Sequence, residues 1–279
     1  MTVWPKEGVV YLAFGDRWQA EAQRSLMSLR TNSPGVAAAV ITDRPWKHEP
    51  QPDAFVVREA IAGFRCKPVY LYEAAPFESN LFLDTDTVVA RDLAPAFGLL
   101  RHFDIGVRFG GPQLNEPDGL ELHTQCNSGV VLFRKNAVTE ALFRDWLAIY
   151  DAAAKSTGTP NVGDQRYLAI AIARSAARPV HLAEYFNFAL FETILTYSPP
   201  LVYHGRAPWI ETLAVDVVKQ WPDTVNDYRP RLWISNIAGM LPSGIRHSDP
   251  ILALAIILRR GWNELRYRFG PHRRASRIG

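Results

Sequence analysis

Two rhythms of apolar residues alternate along the chain. Short continuous apolar runs end on Gly, Thr, Asp or Pro, and between them lie stretches with an apolar residue every three or four positions. The first pattern reads as buried strand and the second as amphipathic helix. It predicts a strand over 8–14 ending at Gly15, then a helix over 18–30 with Ala22, Leu26 and Leu29 on one face. A strand over 36–41 closes on Thr42 and Asp43, and a short one follows over 54–58. The stretch 67–75 reads as helix stopping before Pro76, and 80–90 as an apolar strand interrupted by Asp84-Thr85-Asp86. Strands are expected over 103–108 and 129–133, on either side of a Gly/Pro/Asn loop over 110–119. Asn136 is placed to cap a helix over 137–154 whose stripe is Leu142, Trp146, Ile149 and Ala153. A loop over 156–163, a helix over 164–174 and a short strand over 201–203 running into His204-Gly205 complete the body. Alternation of strand and helix argues an α/β fold.

Composition narrows the class. With 279 residues, 48% hydrophobic and 21% charged, the chain buries an ample core, and disorder, collagen and coiled coil are excluded. The longest apolar run, Ile251–Leu258, has eight residues against the roughly 20 that a membrane-spanning helix needs. Cys66 and Cys126 stand far apart and read as buried thiols in a reducing cytoplasm, neither a disulfide framework nor a metal cluster. No leader is legible at the N-terminus, so a cytoplasmic location is expected.

Charge is uneven. Net charge is +3 overall, but 243–279 carries eight Arg against Asp249 and Glu264, so the body is mildly acidic and the tail basic. In that tail Ile251, Leu254, Leu258, Trp262, Leu265 and Phe269 recur on one helical face behind the cap pair Asp249-Pro250. An anionic membrane surface on the cytoplasmic side and docking on the body are both open readings. Nucleic acid is not expected as a partner, because no base-reading motif interleaves with the arginines.

The chemistry concentrates in Leu81-Phe82-Leu83-Asp84-Thr85-Asp86-Thr87-Val88-Val89. Two carboxylates interrupt an apolar run, and buried carboxylates need a cation or strong donors. Oxygen ligands at a strand end suit Mg²⁺ or Mn²⁺. The plainer alternative is a strand-end turn with solvated aspartates. A second enzyme class uses a similar string: the haloacid-dehalogenase-like phosphohydrolases, in which Asp84 would be the nucleophile. Gly163-Asp164 fits their later motif, but Leu168 stands where another acid is expected.

More of the chain fits a different pattern. Arg65-Cys66-Lys67-Pro68 with Tyr70-Leu71 precedes the Asp-x-Asp string. After it come Asn127-Ser128-Gly129-Val130-Val131-Leu132-Phe133, then Gly163-Asp164-Gln165, then Tyr203-His204-Gly205-Arg206-Ala207-Pro208-Trp209. In this order the pieces resemble glycosyltransferase family eight, the branch of glycogenin and the bacterial lipopolysaccharide galactosyltransferases. Arg206 and Ala207 depart from it, standing where the family has a Lys before Pro-Trp.

The resemblance implies a GT-A fold over 1–242, a Rossmann-like mixed sheet flanked by helices, with 243–279 as a basic helical extension. It implies metal-dependent transfer of a hexose from a nucleoside-diphosphate sugar, UDP-linked, to a glycan or glycolipid hydroxyl with retention. Asp84, Asp86 and His204 would hold the metal, with imidazole favouring Mn²⁺ over Mg²⁺. Lys67 and Arg206 would meet the phosphates. Phe14, Gly15, Thr42 and Asp43 would line the nucleotide crevice, with Thr85 and Gly205 beside it. Ser128 would touch the donor sugar, and Asp164, Gln165 and Asn127 would stand at the reacting end. Each has a plainer alternative: turn chemistry at Thr42-Asp43, a capping charge at Asp164, a satisfied strand-end His204. A non-catalytic sugar-nucleotide-binding protein is the third class.

Overall fold

The computed structural model describes residues 5–112, 124–189, 194–196, 198–205 and 231–233. In chain order these hold β1 (Glu7–Leu12), α1 (Asp16–Asn32), β2 (Ala37–Thr42), β3 (Ala54–Val57), α2 (Cys66–Glu73), β4 (Ser79–Leu83), β5 (Thr87–Val89), β6 (Ile105–Pro112), β7 (Thr124–Arg134), α3 (Ala137–Thr157), α4 (Gln165–Arg174), β8 (Pro179–His181), β9 (Phe188–Ala189), β10 (Ile194–Thr196), β11 (Val202–His204) and β12 (Arg231–Trp233). By contact the chain divides into two units, Met1–Leu190 with Ser198–Asp223, and Phe191–Tyr197 with Thr224–Gly279. Of the second unit, the described part is the antiparallel ladder of β10 with β12. The basic tail and Arg206 lie outside the described residues. Among the described residues no helix is long and apolar enough to cross a membrane.

Seven strands form the main sheet in the order β3-β2-β1-β4-β7-β6-β8. The four from β3 to β4 are parallel, β7 runs antiparallel to β4 and β6, and β8 is parallel to β6. Strand alternation sends Val10, Leu12, Phe82, Val131 and Phe133 to one face, where Leu71, Leu142, Trp146 and Leu168 of α2, α3 and α4 cover them. Val9, Tyr11, Leu81, Val130 and Leu132 go to the other, under Ala22, Leu26 and Leu29 of α1 and Phe97 of a 3₁₀ segment, Ala94–Arg101. Burial on both faces is why these strands read as continuous apolar runs.

The helices follow their predicted faces, and Asn136 caps α3 as expected. Its Oδ1 accepts from the Val138 and Thr139 amides, and Thr139 Oγ1 accepts from the Asn136 amide. The stripe of α3 is wider than its spacing suggests, because Phe143 and Tyr150 are buried as well.

Two expectations are corrected. The single interrupted strand over 80–90 is two strands in two sheets. β4 ends at Leu83, and β5 joins a three-stranded sheet, β5-β11-β9. Apolar pattern reports burial and is blind to such a switch, and Asp84-Thr85-Asp86 is where the chain changes sheet. Likewise β7 starts at Thr124, and Gly110–Pro112, expected in a loop, belong to β6, because cross-strand pairing extends both strands.

At the far end of the sheet Asp104 is a buried knot. Its carboxylate accepts from Arg178 Nε and amide (each 3.0 Å), Arg134 Nε (3.0 Å) and Asn136 Nδ2 (3.1 Å). The Arg178 side chain, aided by these other donors, holds the Asp104 carboxyl well below the usual carboxylate range. Asp104→Ala should lower unfolding free energy by about 1–3 kcal/mol, since it strands the Arg178 amide and loosens the α3 cap. A carboxyl depressed in the folded state contributes stability above its unfolded value and loses it as pH falls through the folded value. Urea denaturation at several pH values should therefore show the variant weakening less steeply on acidification than the parent.

Candidate functional site

The site lies at the C-terminal end of β4, where three sheet-borne segments meet. The turn after β4 carries Asp84 and Asp86, β11 brings His204, and β7 passes alongside at Ser128-Gly129. Two backbone bonds lock this meeting: the Asp84 amide donates to Gly129 O (2.8 Å), and the Gly205 amide to Asp86 O (3.0 Å). His204 Nε2 stands 3.6 Å from Asp84 Oδ2 and 3.5 Å from Asp86 Oδ1. One ligand atom from each of the three residues lies within 4.8 Å of the others. Two carboxylate oxygens and an imidazole nitrogen that close are a donor set that one small divalent cation fits.

Lys67 of α2 lies buried behind the aspartates. Its Nζ is 2.9 Å from Asp84 Oδ1, 3.4 Å from Asp164 Oδ2, and donates to Ser128 Oγ (3.2 Å). Burial works against its charge, but the Asp164 and Asp84 carboxylates more than offset this and hold the ammonium above its ordinary value. Burial in turn raises the Asp84 carboxyl, while Lys67 and His204 pull it down. Asp84 and Asp164 thus share the Lys67 ammonium, while Asp86 faces His204.

Asp164 does not act as the capping charge that its place before α4 suggests. Its side chain makes no cap bond; instead it accepts from Ser128 Oγ at 2.6 Å and faces Lys67. Its backbone carbonyl accepts from the buried Trp146 Nε1 (3.2 Å), which fixes the start of α4 against α3. Gln165 follows as the first residue of α4, and its carbonyl accepts from Cys126 Sγ (3.4 Å). Asn127 lies within β7. Its Oδ1 accepts from the Gly129 amide and from Asn187 Nδ2, each at 2.9 Å.

The expected nucleotide residues sit at the ends of the parallel strands β1 and β2. Asp43 Oδ1 accepts from the Gly15 amide (2.8 Å), which holds the Asp43 carboxyl below its ordinary value. Gly15 adopts φ 81°, a conformation that favours glycine, and turns the chain into α1. Thr42 is buried, donating to Ala13 O (2.7 Å) and accepting from Gln19 (2.9 Å). Phe14 is half-buried, its ring 5.6 Å from that of Tyr70. Thr85 points away from the aspartates and donates to Glu21 of α1 (2.9 Å). Arg65 pairs through both its Nε and NH2 with Asp151, at 2.7 and 2.9 Å.

Sequence reasoning missed Asn187 and Glu21. Asn187 is an amide set inside the aromatic run Tyr185-Phe186-Asn187-Phe188, and that buried-polar pattern was its available signal.

The chain is similar in fold to solved glycosyltransferases. The chain matches the galactosyltransferase LgtC, solved with donor and acceptor sugar analogs, with TM-score 0.52 over 80% of this chain and 99% of that one, at 12% identity. It matches GlyE of Streptococcus pneumoniae with TM-score 0.52 over 77% of this chain and 64% of that one, at 15% identity. The bifunctional glycosyltransferase WbbM gives TM-score 0.53 over 80% and 51%, at 11% identity. No protein-family model and no curated protein sequence matches the chain. At these identities the likeness is one of fold: a mixed α/β sheet flanked by helices, the GT-A fold.

Gly129 offers a direct probe of the cluster. A Cβ added there would collide with the His204 ring, so the ring occupies the space that only glycine leaves. Gly129→Ala should displace His204 and weaken the hold of Asp84, Asp86 and His204 on any divalent cation by at least about tenfold, as loss of ligand orientation does. Calorimetric Mn²⁺ titration, with circular dichroism to confirm the fold, checks this.

Proposed function

We propose that this chain is a metal-dependent glycosyltransferase that moves a hexose from a nucleoside-diphosphate sugar, UDP-linked, to a hydroxyl of a glycan or glycolipid, with retention. The observation that carries the reading is the convergence of Asp84, Asp86 and His204 beside the buried Lys67, in a GT-A fold. Asp84, Asp86 and His204 would hold the cation, with Mn²⁺ favoured over Mg²⁺ by the imidazole. A divalent ion there supplies neutralising charge for a diphosphate leaving group.

Lys67, balanced between Asp84 and Asp164, supplies the fixed positive charge of the site, and Arg206 is the second phosphate-facing cation. The nucleotide lies over the β1 and β2 ends, along Phe14, Gly15, Thr42 and Asp43, the crevice where open α/β sheets bind such ligands. Thr85 and Gly205 shape its rim through the bonds that hold the Asp84–Asp86 turn. Ser128, Asn127, Asp164 and Gln165 stand on the sugar side. Asp164, buried and paired with Lys67, positions the charge near the reacting carbon. The basic tail over 243–279, on an anionic membrane at the cytoplasmic inner face, would bring the site to a lipid-linked acceptor.

The phosphohydrolase alternative is not favoured. Gly163-Asp164 opens α4, and Leu168 is buried in that helix. No observation favours the non-catalytic reading.

Calorimetric titration of UDP with and without Mn²⁺ tests the proposal. Binding should require Mn²⁺ and weaken at least about tenfold in Asp86→Ala, which removes one ligand. Equal binding without metal, or none in either condition, would overturn it, and an aspartyl-phosphate at Asp84 would move the reading to the phosphohydrolase.

A further inference from the structure

Asn187 has no role in the reading above, yet it is wholly buried (0% exposed) and four hydrogen bonds hold it. Its amide N–H donates to Glu184 O (3.3 Å), and its carbonyl accepts from the buried Arg108 (3.3 Å). Its side chain bridges Asn127 Oδ1 (2.9 Å, from Nδ2) and His204 Nδ1 (2.9 Å, at Oδ1).

The direction of this bridge is set by a backbone group. The Gly129 N–H can only donate, so the Asn127 atom it meets is the carbonyl oxygen. That oxygen also faces Asn187, so the Asn187 atom opposite it is the NH₂ group. The other end of the Asn187 amide is then an acceptor, and the His204 nitrogen facing it must carry the proton. In the neutral ring Nε2 is left with its lone pair, and Nε2 is the atom nearest Asp84 and Asp86.

This assignment opposes the local field. Two carboxylates beside Nε2 attract the ring proton, and an Nε2–H ring would be a donor unable to ligate a cation. At 3.5 and 3.6 Å, however, the carboxylates lie beyond a good N–H···O bond, whereas the Asn187 acceptor is at 2.9 Å. We infer that Asn187 is a positioning residue that holds His204 as the Nδ1–H tautomer, with its Nε2 lone pair turned to Asp84 and Asp86. The inference rests on the metal-site reading proposed above and adds the group that makes His204 a competent ligand. Ligand histidines in metal sites depend on such a partner at the other ring nitrogen.

Long-range ¹H–¹⁵N correlation of the imidazoles, on the full chain in chelator-treated buffer at about pH 8 where a free imidazole is neutral, reads the tautomer directly. The His204 signals are assigned by their loss in His204→Gln. The native chain should show the Nδ1–H pattern. Asn187→Asp keeps an acceptor at Nδ1 and should keep that pattern, whereas Asn187→Leu should shift it toward Nε2–H. Mn²⁺ titration without nucleotide should show Asn187→Leu binding about 10- to 100-fold more weakly than the native chain. An Nε2–H pattern in the native chain would overturn the inference without any variant. So would a folded Asn187→Leu with unchanged tautomer and Mn²⁺ affinity. A native chain with the Nδ1–H pattern and no affinity for Mn²⁺ would support the tautomer and overturn the metal reading.

Discussion

Asp84 follows a strand whose residues from Asn80 to Leu83 are buried, in the middle of a sheet covered on both faces. A carboxylate placed there has lost much of its water, and leaving it unpaired costs several kcal/mol. Most of what surrounds it answers that requirement. α2 delivers Lys67, β7 delivers Ser128, and the start of α4 delivers a second carboxylate, Asp164, which the same ammonium serves. The lysine therefore ties three elements to the end of β4 at once. Replacing it by an apolar residue would leave two carboxylates without their cation, so the positions of α2 and α4 and the charge of the site are coupled.

The geometry of the ligands is held by backbone as much as by side chains. The chain leaves the main sheet at Leu83 and enters the small one at Thr87, and on both sides of this switch an amide of one segment is bonded to a carbonyl of the segment it must face. Thr87 Oγ1 donates to Asp84 O (2.8 Å) and lies 2.8 Å from Ser25 Oγ of α1, so the turn is also pinned from below. Three residues in a turn have several conformations open to them. These bonds select the one in which Asp84 and Asp86 both face His204, the kind of preorganisation a metal site needs.

How much of this was legible in the sequence follows from the range of each interaction. The parallel strands, the cap at Asn136 and the buried face of α1 depend on neighbours within a turn or on period, and each could be read locally. The pairing of Asp84 with Asp86 was legible because it is a spacing of two. His204 came only from the ordered motifs, since nothing near it in sequence marks it as a partner of residue 84. Asp164 came from the same ordered motifs, and taken alone its default role was a helix cap. The structure redirects it because Ser128 and Lys67 offer a hydroxyl and a charge that the α4 amides do not match. The sheet switch was illegible and Asn187 gave only a buried-polar signal for one reason: both are set by which strand lies beside which, and β9, of two residues, has too little pattern to announce itself.

The ammonium and a cation would seem to compete for Asp84, yet the arrangement lets both be served. Lys67 Nζ lies 2.9 and 3.1 Å from the two Asp84 oxygens, bracketing the carboxylate on one side. Oδ2 is also the oxygen nearest His204 Nε2. An ionised carboxylate has about four lone-pair directions, so one oxygen can accept from lysine and still bind a metal. Lys67 pairs with both Asp84 and Asp164 and so offsets the cost of burying them. On the reading proposed above, a diphosphate donor would follow the cation, because added positive charge favours an anionic ligand.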